Sequence, residues 1–339
     1  MPDPKRLDDK RLPRDAAGSL DLEGGTGGII AMCSCDEFLE VYKEDMTFHV
    51  KGPESVDPGR TNPNAPFVAA VADKIGSSSP VVARVLLQGQ DIIQVAIFDR
   101  PIDKAAVTRV LHAAKESLFT CQKVAERVMS YVDHIVEDIR SHGVARDSRG
   151  RALNPFPQVP DLETEATTFL IHAKRAVQTI CRLPSLFLPV EPKDTNFDAL
   201  LKTLSKVVDV PAAVTEFVRD NADGVRYLIE LRNFQEHPDA KRTVVDNFKV
   251  MPDGTISVPM WYLSDDTPRP VREEMSAAVE FLIQMAEAML IHLVMATVTN
   301  TFPFIIEQIE DAQVNPKMPI KYRLSVDIAR MKVDPQASN

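Results

Sequence analysis

Two side chains five residues apart, Arg232 and His237, form the pair in this 339-residue chain best suited to act on a phosphate. They stand in the run Leu231-Arg232-Asn233-Phe234-Gln235-Glu236-His237-Pro238. Arginine offers a planar, always-charged fork that fits phosphate oxygens. Histidine takes and returns a proton near neutral pH. Asn233 can hydrogen-bond and so orient either partner. Together they suit cleavage of RNA without a metal. His237 would draw the proton from a ribose 2′-hydroxyl while Arg232 offsets charge on the phosphate. Glu236 and a basic segment carrying Arg146, Arg149 and Arg151 are candidate substrate contacts.

The elements that must hold these groups read as helices. Pro211 opens a helix containing Val214, Phe217, Val218, Val225, Leu228, Ile229 and Leu231. It runs into the motif and stops at Pro238, which cannot continue the hydrogen-bond ladder. Before it, a long helix is expected over about 104–142. Asp103 is placed to cap it and Gly143 to end it, and apolar residues recur at three- and four-residue steps from Val107 to Ile139. Further helices are expected at Phe67–Ile75, from Ser79-Pro80 through Ile97, at about 162–182, at Asn196–Val207 and at Pro270 to about Thr299. Residues 29–50 are ambiguous, while Gly52–Pro66 and Val144–Pro160 read as loops. Asp253-Gly254 between alternating apolar residues predicts a hairpin over 243–263. The alternation from Ile320 to Ile328 predicts a strand. The expected fold class is mainly α: an antiparallel helix bundle with an inserted β-hairpin. The expected organisation is a disordered tail over 1–28, a mixed region packed on the bundle over 29–100, the bundle over 101–300 and an extension over 301–339.

Composition narrows the classes. Hydrophobic residues make up 44% of the chain, enough for a substantial core, and aromatics only 6%, as suits helices better than sheets. The net charge of −10 counts against a broad nucleic-acid surface and leaves room for a small basic site. The start of the chain has no apolar leader core. The most apolar stretch, Ala277–Val298, carries Gln284, Glu287 and His292, so it reads as a core helix rather than a membrane span. A cytoplasmic protein without membrane contact is expected. Cys33, Cys35, Cys121 and Cys181 are too few for a disulfide scaffold. Cys33 and Cys35 would hold a metal only with partners from elsewhere. HExxH, CxxC, nucleotide-cradling glycine loops and G-x-S-x-G are all absent, so neither metal nor cofactor is expected.

The hexapeptide Arg232–His237 resembles the Arg–polar–x3–His signature of the HEPN superfamily. That resemblance implies an all-α bundle, a ribonuclease acting through Arg232 and His237, and Asn233 as the polar second position. It also implies a homo-oligomer in which two copies of the motif meet. It covers the motif and a compatible helical context over roughly 104–300, and leaves 1–100 and 301–339 unexplained.

The same residues have a plainer reading. Arg232 and Glu236 are four apart and would form a surface ion pair worth roughly 0.3–0.5 kcal/mol. His237 would then be one of the basic residues that helix C-termini favour. The chain would in that case be a non-catalytic helical scaffold or interaction protein. Arg127 and His134, seven apart in the middle of the long helix, are a chance pair with Val128 at the polar position. His112, His172 and His292 lie on apolar helices and read as core or boundary residues.

Overall fold

The computed structural model describes Arg14 and residues 20–191, 196–208, 210–237 and 241–327. Most of the expected tail, with Pro238 and Ile328, lies outside the described residues. The chain forms two compact units, Met1–Ala83 with Glu310–Ile320, and Arg84–Ile309 with Lys321–Asn339.

The first unit corrects the expected fold class. It is built on an antiparallel sheet of β1 (Ala31–Cys35), β2 (Phe38–Tyr42), β3 (Thr47–Lys51) and β4 (Val68–Asp73), in that order. With 48% helix and 16% strand, the protein is mixed α/β rather than a mainly α bundle. The ambiguous segment 29–50 supplies three of the strands. The expected helix at Phe67–Ile75 is the fourth. Its alanines favour helix locally, but pairing of Lys51 with Val68, Val50 with Ala69 and His49 with Ala70 overrides that preference. Gly76 closes the sheet onto the β2–β3 loop. A Cβ there would sit 2.1 Å from the Lys43 carbonyl oxygen and 2.5 Å from the Met46 nitrogen, so no side chain fits.

The second unit is helical with two small antiparallel additions. It contains α1 (Gln88–Val95), α2 (Lys104–His142), α3 (Leu162–Ile180), α4 (Leu183–Phe187), α5 (Phe197–Leu204), α6 (Ala212–Asp220), α7 (Ala222–Glu236) and α8 (Val271–Thr297). The Asp103 carboxylate accepts from the Ala106 amide, and Gly143 ends α2 at φ 70°. Val107, Leu111, Ala114, Leu118, Cys121, Val124, Val128 and Val132 bury one stripe of α2, and the last turns beyond it are exposed. α2 lies against α3 and α8. α8 has the length and apolarity of a membrane-crossing helix, yet Met275, Leu282, Met285, Met289 and Leu293 are buried inside the unit.

Two expected helices are divided. The one through Ile97 begins as a π-helix, Val81–Leu87, continues as α1 and ends at Val95. Gly89, which weakens the helix locally, is needed there: a Cβ would lie 2.6 Å from Leu111 Cδ1 and 3.0 Å from Leu290 Cδ2. The helix from Pro211 breaks at Asn221, whose amide donates to the Phe217 carbonyl, and so becomes α6 and α7.

The hairpin forms where the Asp-Gly turn places it. β5 (Thr243–Asp246) pairs with β8 (Met260–Leu263), and β6 (Lys249–Val250) pairs with β7 (Ile256–Ser257). Trp261 of β8 is fully buried, its ring edge-on to Phe169 at 5.6 Å. The C-terminal strand, β10 (Tyr322–Val326), pairs with β9 (Phe304–Gln308), which lacks a clear alternating pattern.

Candidate functional site at the end of α7

α7 is seated by Val225, Leu228 and Leu231, which are buried. Its last turn is fixed from two sides. The Gln235 side-chain amide donates to Thr167 Oγ1 at 2.5 Å and to the Glu163 carbonyl at 3.3 Å, both on α3. Thr243 at the start of β5 donates its hydroxyl to the Leu231 carbonyl at 2.6 Å. His237 caps the helix, its amide donating to the Asn233 carbonyl at 2.8 Å.

This frame brings Arg232 and His237 to one place. Arg232 Nη2 lies 2.5 Å from Glu236 Oε2, and His237 Nε2 lies 3.9 Å from the same oxygen. The first contact is a charge-assisted hydrogen bond; the second is an ion-pair distance only. Arg232 Nη1 donates to Asn233 Oδ1 at 3.3 Å, so Asn233 orients the guanidinium. Arg232 Nε is buried without a hydrogen-bond partner among the described residues. The His237 side chain is 83% exposed, while those of Arg232 and Glu236 are 24% and 31% exposed. A guanidinium and an imidazole thus address one anionic oxygen, and that oxygen belongs to the chain itself.

The expected basic contacts lie on the loop that follows α2. Arg146 Nη1 donates to the Gly150 carbonyl at 3.2 Å within its own loop. Asp147 shapes that loop by accepting from the Arg151 and Ala152 amides, and these bonds hold its carboxyl below the usual range. Arg149 and Arg151 are exposed. No hydrogen bond or ion pair among the described residues joins Arg146, Arg149 or Arg151 to Arg232, Glu236 or His237. In the chance pair, Arg127 bonds Glu165 at 2.9 Å, and His134 is exposed.

Two polar clusters have no motif in the sequence. In the first unit, register sets Cys33 opposite Glu40 and Glu40 opposite His49. Glu40 is buried, accepts from the Tyr42 hydroxyl, and lies 3.2 Å from His49 Nε2. Burial first, then the Glu40 charge, push the Tyr42 hydroxyl far above its ordinary range. Strand register alone sets Cys33 opposite Glu40, which the linear reading could not show.

In the second unit, Arg84 donates to Glu287 through Nη2 at 2.6 Å and through Nε at 3.3 Å, and to Glu280 at 2.8 Å. Gln88 donates to Glu287 at 2.7 Å, and its carbonyl accepts from the Lys321 and Tyr322 amides. Burial alone would lower the Arg84 pKa, but its bonds to Glu287 and Glu280 outweigh that and raise it. The cluster borders a cavity of about 440 Å³ also lined by Ile291, His292 and Tyr322. A sequence signal did exist here: polar Arg84, Gln88 and Glu287 interrupt otherwise apolar helix faces.

Compared with known protein families, curated proteins and solved structures, the chain matches none.

Proposed function

We propose that the end of α7 is an RNA phosphodiester site of HEPN type, in which Arg232 and His237 cleave the backbone without a metal. One observation supports this reading above the others: Nη2 of Arg232 and Nε2 of His237 face a single oxygen at an exposed helix end. A phosphate oxygen in that place would meet both groups. His237 removes the 2′-hydroxyl proton, and the 2′ oxygen attacks the adjacent phosphorus. The bond from phosphorus to the 5′ oxygen breaks, leaving a 2′,3′-cyclic phosphate. The proton passes from the imidazolium to the departing 5′ oxygen. Arg232 offsets the charge that builds on the phosphoryl oxygens. On the same reading two copies of the chain bring their motifs together.

Incubation with RNA in the presence of a chelator tests this. The expected result is products ending in 2′,3′-cyclic phosphate, lost in Arg232→Ala and in His237→Ala. Cleavage that persists unchanged in the double variant would remove the proposal. The closed Arg232–Glu236 pair favours a second reading, a non-catalytic interaction protein, for which both substitutions leave every RNA readout unchanged.

A further inference from the structure

We propose that Glu236 is a built-in competitor for the substrate phosphate, occupying its seat until RNA displaces it. The inference rests on the reading of α7 as a phosphate site and adds how that site is regulated. It also reverses the role expected for Glu236, which is that of a substrate contact.

Glu236 Oε2 fills the position between Arg232 and His237 that a phosphoryl oxygen needs. The edge of the guanidinium that faces this oxygen is engaged while Glu236 is in place. Nη2 is on Glu236, Nη1 is on Asn233, and Nε is buried. Helix stability gives little reason for this acid. A carboxylate in the last turn meets the negative end of the helix dipole. The same field acts on an incoming phosphate, so exchanging one anion for the other leaves that penalty nearly unchanged. Displacement is also cheap. The Glu236 side chain is already partly exposed and swings into water, and the phosphate that takes its place keeps the mostly buried Arg232 charge paired. By contrast Gln235, Thr243 and Leu231 hold the backbone of the turn, so the motion is confined to one side chain.

A seat open about one-tenth of the time weakens apparent binding about tenfold. Titration of a 2′-O-methyl RNA oligonucleotide, which lacks the attacking hydroxyl, measures this directly. Glu236→Gln and Glu236→Ala are expected to bind it about tenfold more tightly than the wild type. Glu230→Gln removes the same charge from the same helix, and is expected to change affinity less than about twofold. Arg232→Ala combined with Glu236→Gln is expected to lose the gain. Cleavage of unmodified RNA is followed in parallel. Tighter binding with no cleavage by any protein supports the competitor role and removes the nuclease reading. Cleavage by the wild type with unchanged or weaker binding by Glu236→Gln overturns the competitor role and leaves the nuclease reading in place. An equal gain in Glu230→Gln reduces the effect to general charge and also overturns it.

Discussion

Arg84 and Glu287 form an ion pair at 2.6 Å with both side chains 3% exposed. Arg232 and Glu236 form one at 2.5 Å with side chains 24% and 31% exposed. The distances are nearly equal and the consequences are not. Glu287 accepts from Arg84 and from Gln88, and Gln88 in turn holds two backbone amides of the β10 segment. Removing Arg84 leaves Glu287 a buried charge answered by the neutral Gln88 amide. Glu236 has Arg232 on one oxygen and His237 at ion-pair distance, and solvent lies beside it. An arginine–glutamate contact is therefore a structural clamp when both side chains are buried and a displaceable contact when they are partly exposed.

The largest effect should come from breaking the clamp. Arg84→Ala is expected to cost about 3–5 kcal/mol, read as a lowered urea midpoint. A loss below about 1 kcal/mol would show that the pair is not the anchor described. Next, replacing both partners, Arg84→Met with Glu287→Leu, is expected to cost less than Arg84→Ala alone, because no charge is left unpaired. A double variant worse than the single one would mean that the bonds to Gln88 and Glu280 matter more than the pair.

A third test uses pH. Burial holds His292 below its ordinary value of 6.5, and burial followed by the nearby Arg175 does the same to His172. As pH falls through 6.5 the unfolded imidazoles protonate before the folded ones. The unfolded chain then binds more protons, and stability declines toward acid. Thermal unfolding from pH 7.5 to 5.5 should show that decline, and His292→Gln should flatten part of it. A stability profile that is level over this range would contradict the assigned burial of both rings.

The smallest effect is expected at the partly exposed pair. Arg232→Ala should cost only about 0.3–0.5 kcal/mol by the same denaturation assay. A loss of several kcal/mol would place Arg232 in the structural class with Arg84 and weaken the case for a displaceable contact.

Local chemistry accounts for much of what could be read from the chain. The Asp103 cap and Gly143 stop act within a few residues, so α2 was visible from end to end. The Asp253-Gly254 turn announced its hairpin for the same reason. The motif was legible as a helix terminus because α7 and the cap at His237 are set by nearby backbone bonds. The first sheet was not legible. Val68–Asp73 is rich in alanine, and its strand state comes from a partner at Thr47–Lys51 across a long connection. The break at Asn221 is likewise hidden in a continuous apolar rhythm until the turn itself forms.

The sequence alone determined the length and caps of α2, the hairpin turn, and the five-residue interval between Arg232 and His237. Each depends on interactions a few residues apart. Only the tertiary structure decided that four strands between residues 31 and 73 form a sheet and that Arg84 meets Glu287 across 203 positions. Those outcomes depend on which distant surfaces exclude water together, and no local pattern of residues specifies that pairing.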